Sequence, residues 1–184
     1  MNRKALLLAI LGFVLCVSLS VMGSVNAIPS NQRVLVQIKN ASPTSGGRIE
    51  VVKRFIQAVE AKDISTINQL VTENIVLEQP FSRLRPGGIR VEGKQAANTF
   101  FNRIFSQYSQ ILFVNVIFRQ SKFDNAVILE GQGDFRMASN QNPYRNQYIG
   151  VLEVVDGRIA LIREYFNPLI EPDLSSLDNS NPNQ

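Results

Sequence analysis

From Arg48 onward, apolar residues recur at helical spacing. Ile49, Val52, Phe55, Ile56 and Val59 fall on one stripe, and Glu50, Lys53, Arg54 and Gln57 lie opposite. Lys62-Asp63 interrupts the stripe, and Asp63 suits the cap of a short second helix carrying Ile64, Ile67, Leu70 and Val71. Asn74 to Glu78 reads as a brief strand stopped at Pro80, and Arg83 to Gly88 as a loop rich in Arg, Pro and Gly. A third helix is predicted from about Gln95 to Tyr108, with Phe100, Phe101, Ile104 and Phe105 as its apolar residues. Four strand-like runs follow: Ile111–Gln120, Ala126–Phe135, Gln147–Val155 and Arg158–Phe166, all rich in Val, Ile, Phe and Tyr. Helices first and strands afterwards predict an α+β domain, with helices packed on one face of an antiparallel sheet.

The flanks differ in kind. Arg3 and Lys4 precede an apolar run from Ala5 to Val21, and Val25-Asn26-Ala27 offers small residues for cleavage, the layout of a secretory signal peptide over residues 1–27. A retained anchor is the alternative, because the run is long for a signal and short for a span. Residues 28–47 have linker composition, although Val34, Val36 and Ile38 alternate with polar residues and could add an edge strand. The expected domain is 48–170, followed by a disordered tail, 171–184, of Pro, Asp, Ser and Asn. The expected location is secreted or periplasmic, with no membrane contact after cleavage.

Charge and cysteine usage then exclude whole classes of function. Removing Arg3 and Lys4 leaves 17 basic against 15 acidic residues, a net charge of +2 that is no footprint for nucleic acid. The single cysteine, Cys16, lies in the leader, and the chain has no histidine, so zinc, haem and Ser-His or Cys-His chemistry lack their residues. No acidic calcium loop occurs, so no metal and no cofactor are expected.

One candidate group for chemistry remains. Asp156-Gly157 is a hairpin turn, and in the arm that follows, alternation puts Ala160, Ile162, Glu164 and Phe166 on one face. Ile159, Leu161, Arg163 and Tyr165 take the other face, and Pro168 ends the strand. Glu164 thus stands between Ile162 and Phe166, where burial would raise its pKa and suit it to acid/base work. The alternative is a structural carboxylate paired with an Arg or bonded to backbone N–H groups.

Three local patterns resemble the SnoaL-like branch of the NTF2-like families: Phe55-Ile56-Gln57-Ala58-Val59-Glu60-Ala61-Lys62-Asp63, Val91-Glu92-Gly93-Lys94-Gln95-Ala96, and Asp156-Gly157-Arg158-Ile159 with Arg163-Glu164-Tyr165-Phe166-Asn167-Pro168. The resemblance covers roughly Arg48 to Leu169. It implies a cone in which three helices pack on the concave face of a curved, mostly antiparallel sheet. Carried over residue by residue, ketosteroid isomerases would have a Tyr where this chain has Phe55. Their general base would fall at Gln79 and their second oxyanion donor at Gly150. The Arg-x-Asp pair of limonene-epoxide-hydrolase-like members reads Tyr148 and Gly150, and only their later acidic residue persists, as Glu164. Phenazine-biosynthesis members share the E-Y-x-N-P segment but also use a pocket His, which is absent here.

The expected site therefore holds Glu164 as acid/base, with Phe55, Gln79, Phe81, Phe100, Phe101, Ile104, Tyr148, Gly150, Ile162 and Phe166 around a small hydrophobic molecule. Each apolar member could equally be plain core. Arg83, Arg85 and Arg90 could receive an acidic ligand at the mouth or form a solvated basic loop. Ile149, Val151, Ile159 and Leu161 are expected on the outer face of the sheet, which predicts a homodimer through it. Three functional classes stay open: an isomerase-, lyase- or hydrolase-type enzyme, a non-catalytic ligand carrier, and an association module with a filled cone.

Overall fold

The computed structural model describes residues 47–172. The leader, most of the linker, including Val34, Val36 and Ile38, and the tail beyond Pro172 lie outside the described residues. Helix α1 spans Arg48–Glu60 and α2 spans Ile64–Leu70; they are followed by β1 (Val71–Gln79), β2 (Ile89–Glu92) and α3 (Lys94–Gln107). Strands β3 (Tyr108–Gln110), β4 (Phe113–Gln120), β5 (Ala126–Met137), β6 (Pro143–Val155) and β7 (Arg158–Phe166) complete the order, and Pro168–Ile170 forms a 3₁₀ turn.

Asp63 caps α2 as predicted: its carboxylate accepts from the Thr66 backbone N at 3.0 Å and from the Thr66 hydroxyl at 2.6 Å. Lys62, at φ +56°, swings its ammonium onto the Phe105 and Tyr108 carbonyls, where it satisfies acceptors at the C-terminal end of α3.

The seven strands form one sheet in the order β2-β1-β7-β6-β5-β3, with β4 also pairing β5. Only β1 and β7 run parallel; the other pairings are antiparallel. The buried faces of α1 and α3, led by Val52, Phe55, Phe101 and Phe105, pack with Ile75, Leu77, Leu129, Leu152 and Ile159 of the sheet in one continuous core. This is the expected α+β cone. Among the described residues, no helix is long and apolar enough to cross a membrane.

Several local expectations need correcting. Val71 opens β1 rather than closing α2, and Tyr108 opens β3 rather than closing α3. The run expected at Ile111–Gln120 starts two residues later, as β4 at Phe113: Ile111 and Leu112 link it to β3, and Leu112 O accepts from Asp134 N. Ile159 does not face outward. Val154 pairs Ile159 while the adjacent Glu153 pairs Leu161, so Ala160 is the extra residue of a β-bulge. The bulge reverses the alternation and turns Ile159 into the core, at 0 % exposure.

Candidate active site

The parallel register of β1 and β7 assembles the site. Leu77 lies beside Ile162 and Glu78 beside Arg163, so the next step along both strands brings Gln79 alongside Glu164. On the outer face Arg163 Nε donates to Glu78 at 2.6 Å; on the inner face Gln79 Nε2 donates to Glu164 Oε2, also at 2.6 Å. From the other flank, Gly150 of β6 pairs directly with Glu164, and Tyr148 pairs with Phe166. Having no side chain, Gly150 leaves open the space beside the carboxylate that a Cβ would partly fill, 3.0 Å from Leu129 Cδ2.

Two cavities meet at Glu164. The larger, about 110 Å³, is lined by Gln79, Phe100, Ile104, Tyr144 and Phe166 among others; the smaller, about 80 Å³, by Phe55, Leu77, Gly150, Leu152 and Ile162. Val59, Phe101, Phe113, Tyr148 and Glu164 line both. Burial pushes the Glu164 carboxyl up to about 7; the Gln79 hydrogen bond opposes that rise, and the negative charge of Glu171 adds to it. A carboxyl with that affinity exchanges its proton near neutral pH, which is what a general acid or base needs.

Burial likewise raises Tyr108, Tyr144 and Tyr148, so all three phenols stay protonated. Tyr144 and Tyr148 hydroxyls stand 3.5 Å apart. Asn146, 4 % exposed, donates its amide to Tyr144 Oη at 2.8 Å and to the Asn167 carbonyl at 3.0 Å. Its Oδ1 accepts from Asn167 N at 3.0 Å and from Gln147 N at 2.8 Å. With its oxygen already accepting from Asn146, Tyr144 keeps its own O–H proton to donate. Ring contacts join Tyr108, Phe113, Phe135, Tyr144 and Tyr148 into an aromatic wall.

Of the residues expected at the site, ten line one cavity or both, and Phe81 lines neither. Pro80 ends β1, the chain turns with Ser82 N donating to Gln79 O, and Phe81 projects outward, 59 % exposed, edge-on to Tyr165. Tyr144 and Asn146 were not expected there, because the run expected in this part of the chain begins only at Gln147. The signal was present: Tyr144, Asn146 and Tyr148 alternate with Arg145 and Gln147, as a half-buried strand requires. Glu171 and Pro172, assigned to the tail by composition, line the larger cavity. Glu171 accepts from Ser82 Oγ and from Arg83 N, each at 2.6 Å, and so ties the segment after the 3₁₀ turn to the β1–β2 loop. Among the described residues no group of three or more His, Cys, Asp or Glu is placed to hold a metal.

Comparison with known proteins matches residues 52–162 to the SnoaL-like domain. The Bacillus subtilis protein YesE is 34 % identical over 123 residues, covering 66 % of this chain and 82 % of that protein. A B. subtilis crystal structure proposed to be an isomerase is 33 % identical, with TM-score 0.61 over 67 % of this chain and 88 % of that one. An LEH-like epoxide hydrolase from M. tuberculosis is 25 % identical, with TM-score 0.52 over 67 % and 84 % of the two chains.

Proposed function

Because this chain belongs to the SnoaL-like domain family, with its NTF2-like cone, we propose that it binds a small, largely apolar metabolite inside the cone and moves a proton on it with Glu164, in chemistry of isomerase, lyase or hydrolase type. The observation that carries this reading is the position of Glu164: one carboxyl at the junction of two apolar cavities, held by one amide and titrating near 7. The B. subtilis relative proposed to be an isomerase supports the same reaction class.

The chemistry needs little else. Glu164 as carboxylate takes a proton from a carbon or oxygen of the ligand, and as carboxylic acid returns it to another position. The Tyr144 hydroxyl is a donor for an oxygen that gains charge meanwhile. Gln79 stands where ketosteroid isomerases place their base; here its amide orients Glu164.

The Arg3-Lys4 start, apolar run and Val25-Asn26-Ala27 site support export of the mature domain to a secreted or periplasmic location. The partly exposed outer residues Ile149, Val151 and Leu161 support a homodimer through the sheet.

The test begins with native mass spectrometry of the purified protein, to identify a retained ligand, followed by turnover assays on it. Glu164→Gln keeps size and polarity but cannot titrate. It should lower turnover by about 10²–10⁴ while leaving ligand affinity largely intact. Unchanged turnover would remove the enzyme reading. Binding without turnover by the wild type would favour the carrier reading, which the absence of acid/base groups at Phe55, Gln79 and Gly150 supports.

A further inference from the structure

Glu171 has a place in the larger inner cavity that the acid/base reading leaves unused. Its two oxygens accept from the Ser82 hydroxyl and the Arg83 main-chain N–H. Both donors are neutral, so they fix the carboxylate in place without cancelling its charge. That charge is felt across the cavity: it adds to the rise of Glu164 and of Tyr108, Tyr144 and Tyr148. Among the described residues, neither inner cavity has a Lys or Arg in its lining. An anion entering the larger cavity would be repelled by Glu164 and Glu171, whereas a cation would meet charge that no basic group in the lining balances.

The rest of that lining suits one kind of cation. Aromatic rings make up more than half of it: Phe100, Phe101 and Phe105 of α3 and Phe166 of β7 join the aromatic wall described above. Ring faces carry partial negative charge and attract cations, most strongly where water is excluded. A primary ammonium needs acceptors for three N–H groups, and a lining dominated by rings offers few. A trimethylammonium group has no N–H to satisfy and needs only apolar contacts, rings and a nearby negative charge.

Size points the same way. Apolar cavities of about 150 Å³ take a single benzene-sized ring. At about 110 Å³ the larger cavity is below that, so it takes a compact head group rather than a ring. The smaller cavity, about 80 Å³, meets it at Glu164 and is not lined by Glu171, which leaves it for an uncharged part of the same ligand.

Deepening the small-metabolite reading of this site, and resting on it, we propose that the ligand carries a quaternary ammonium head of trimethylammonium type, held in the larger cavity by Glu171 and the aromatic lining. The carbon chain beyond the head reaches Glu164 and the smaller cavity. A bound cation also favours the ionised form of Glu164, the form that takes a proton.

Calorimetric titration of the purified protein with choline and with 3,3-dimethylbutan-1-ol, its neutral counterpart of the same shape, tests this. Choline should bind at least about tenfold more tightly, the value of one desolvated cation–π or charge-assisted contact. Glu171→Gln removes the charge but keeps hydrogen-bonding groups for Ser82 and Arg83. It should lower choline affinity about tenfold and leave binding of the neutral alcohol unchanged. Should Glu171→Gln loosen the loop, as a fall in melting temperature would show, Phe166→Leu decides instead. It removes one ring, keeps the lining apolar and should weaken choline about threefold or more without weakening the alcohol. Equal affinity for the two probes, no choline binding, or undiminished choline binding by the folded variant would overturn the proposal. Choline preferred as expected while Glu164 titrates like a free carboxyl would instead remove the acid/base reading and leave the cation site standing. Glu164 titrating near 7 beside equal affinities would do the reverse.

Discussion

Gln79 donates its side-chain amide to Glu164 at 2.6 Å across the parallel pair of β1 and β7. The donor is a neutral amide, so it steadies the charged carboxylate without neutralising it. Glu164 therefore stays near 7, where a cationic partner would have drawn it well below the usual carboxylate range.

Gln79→Leu tests that balance. Removing the donor takes away what opposes the effect of burial, so the Glu164 pKa should rise above its present value of about 7. A lost hydrogen bond to a charged group is worth about 1.5–3 kcal/mol, which corresponds to a rise of roughly one to two pH units. Carbon-detected NMR titration of Glu164 should show the upward move. A downward move would mean that Gln79 does not stabilise the charged form.

The same carboxyl should leave a mark on stability. Its folded pKa, about 7, exceeds the ordinary 4.5, so the folded state holds the extra proton between those values. Stability from this group is thus complete below about pH 4.5, declines as pH rises, and is lost above about 7. Each tenfold change in proton affinity is worth about 1.4 kcal/mol, so the loss is on the order of 3 kcal/mol. Glu164→Gln should therefore be more stable than wild type above pH 7, with the gap closing toward pH 4.5. A pH-independent gap in urea melts would show that Glu164 is not desolvated.

Much of this site could be read in the sequence, because Glu164 sits in strict alternation between Ile162 and Phe166 and alternation survives in that half of β7. It fails one bulge earlier, at Ala160, where composition gives no sign of an extra residue and Ile159 is turned inward. The Gln79–Glu164 contact was out of reach for a different reason. Parallel pairing of strands 85 residues apart depends on how the sheet closes, which no local pattern encodes. Tyr144 was hidden by its surroundings, since Asn140, Asn142 and Pro143 have turn composition although β6 begins at Pro143.

Gly88 is a backbone requirement of the site. It takes φ +85°, and a Cβ there would lie 2.6 Å from Gln79 O and 2.7 Å from Pro80 O, both main-chain atoms that cannot swing aside. Gly88→Ala should cost at least about 2 kcal/mol, combining a left-handed conformation with the clash. Because the displaced carbonyl belongs to Gln79, the Glu164 pKa should move as well. Thermal melting and the same NMR titration measure both. By contrast, Gly87→Ala has φ +81° but no neighbour within 4 Å, so only the conformational part of the cost should appear.

Ile149 carries the last prediction. It is 48 % exposed on the outer face of β6, with Val151 beyond it and Leu161 on the neighbouring strand, all partly exposed. Cross-strand pairing puts Glu130 on one side of Ile149 and Tyr165 on the other, an apolar strip with a polar border as expected of an interface. A second copy of the chain would supply the matching strip by two-fold symmetry. Light scattering should then give twice the monomer mass at micromolar concentration. Ile149→Glu should bring it to the monomer mass, because each copy would then have to bury an added carboxylate in the apolar strip. The substitution faces away from both cavities, so Glu164 should still titrate near 7 in the monomeric variant. A wild-type monomer at that concentration would rule out the sheet as a dimer interface.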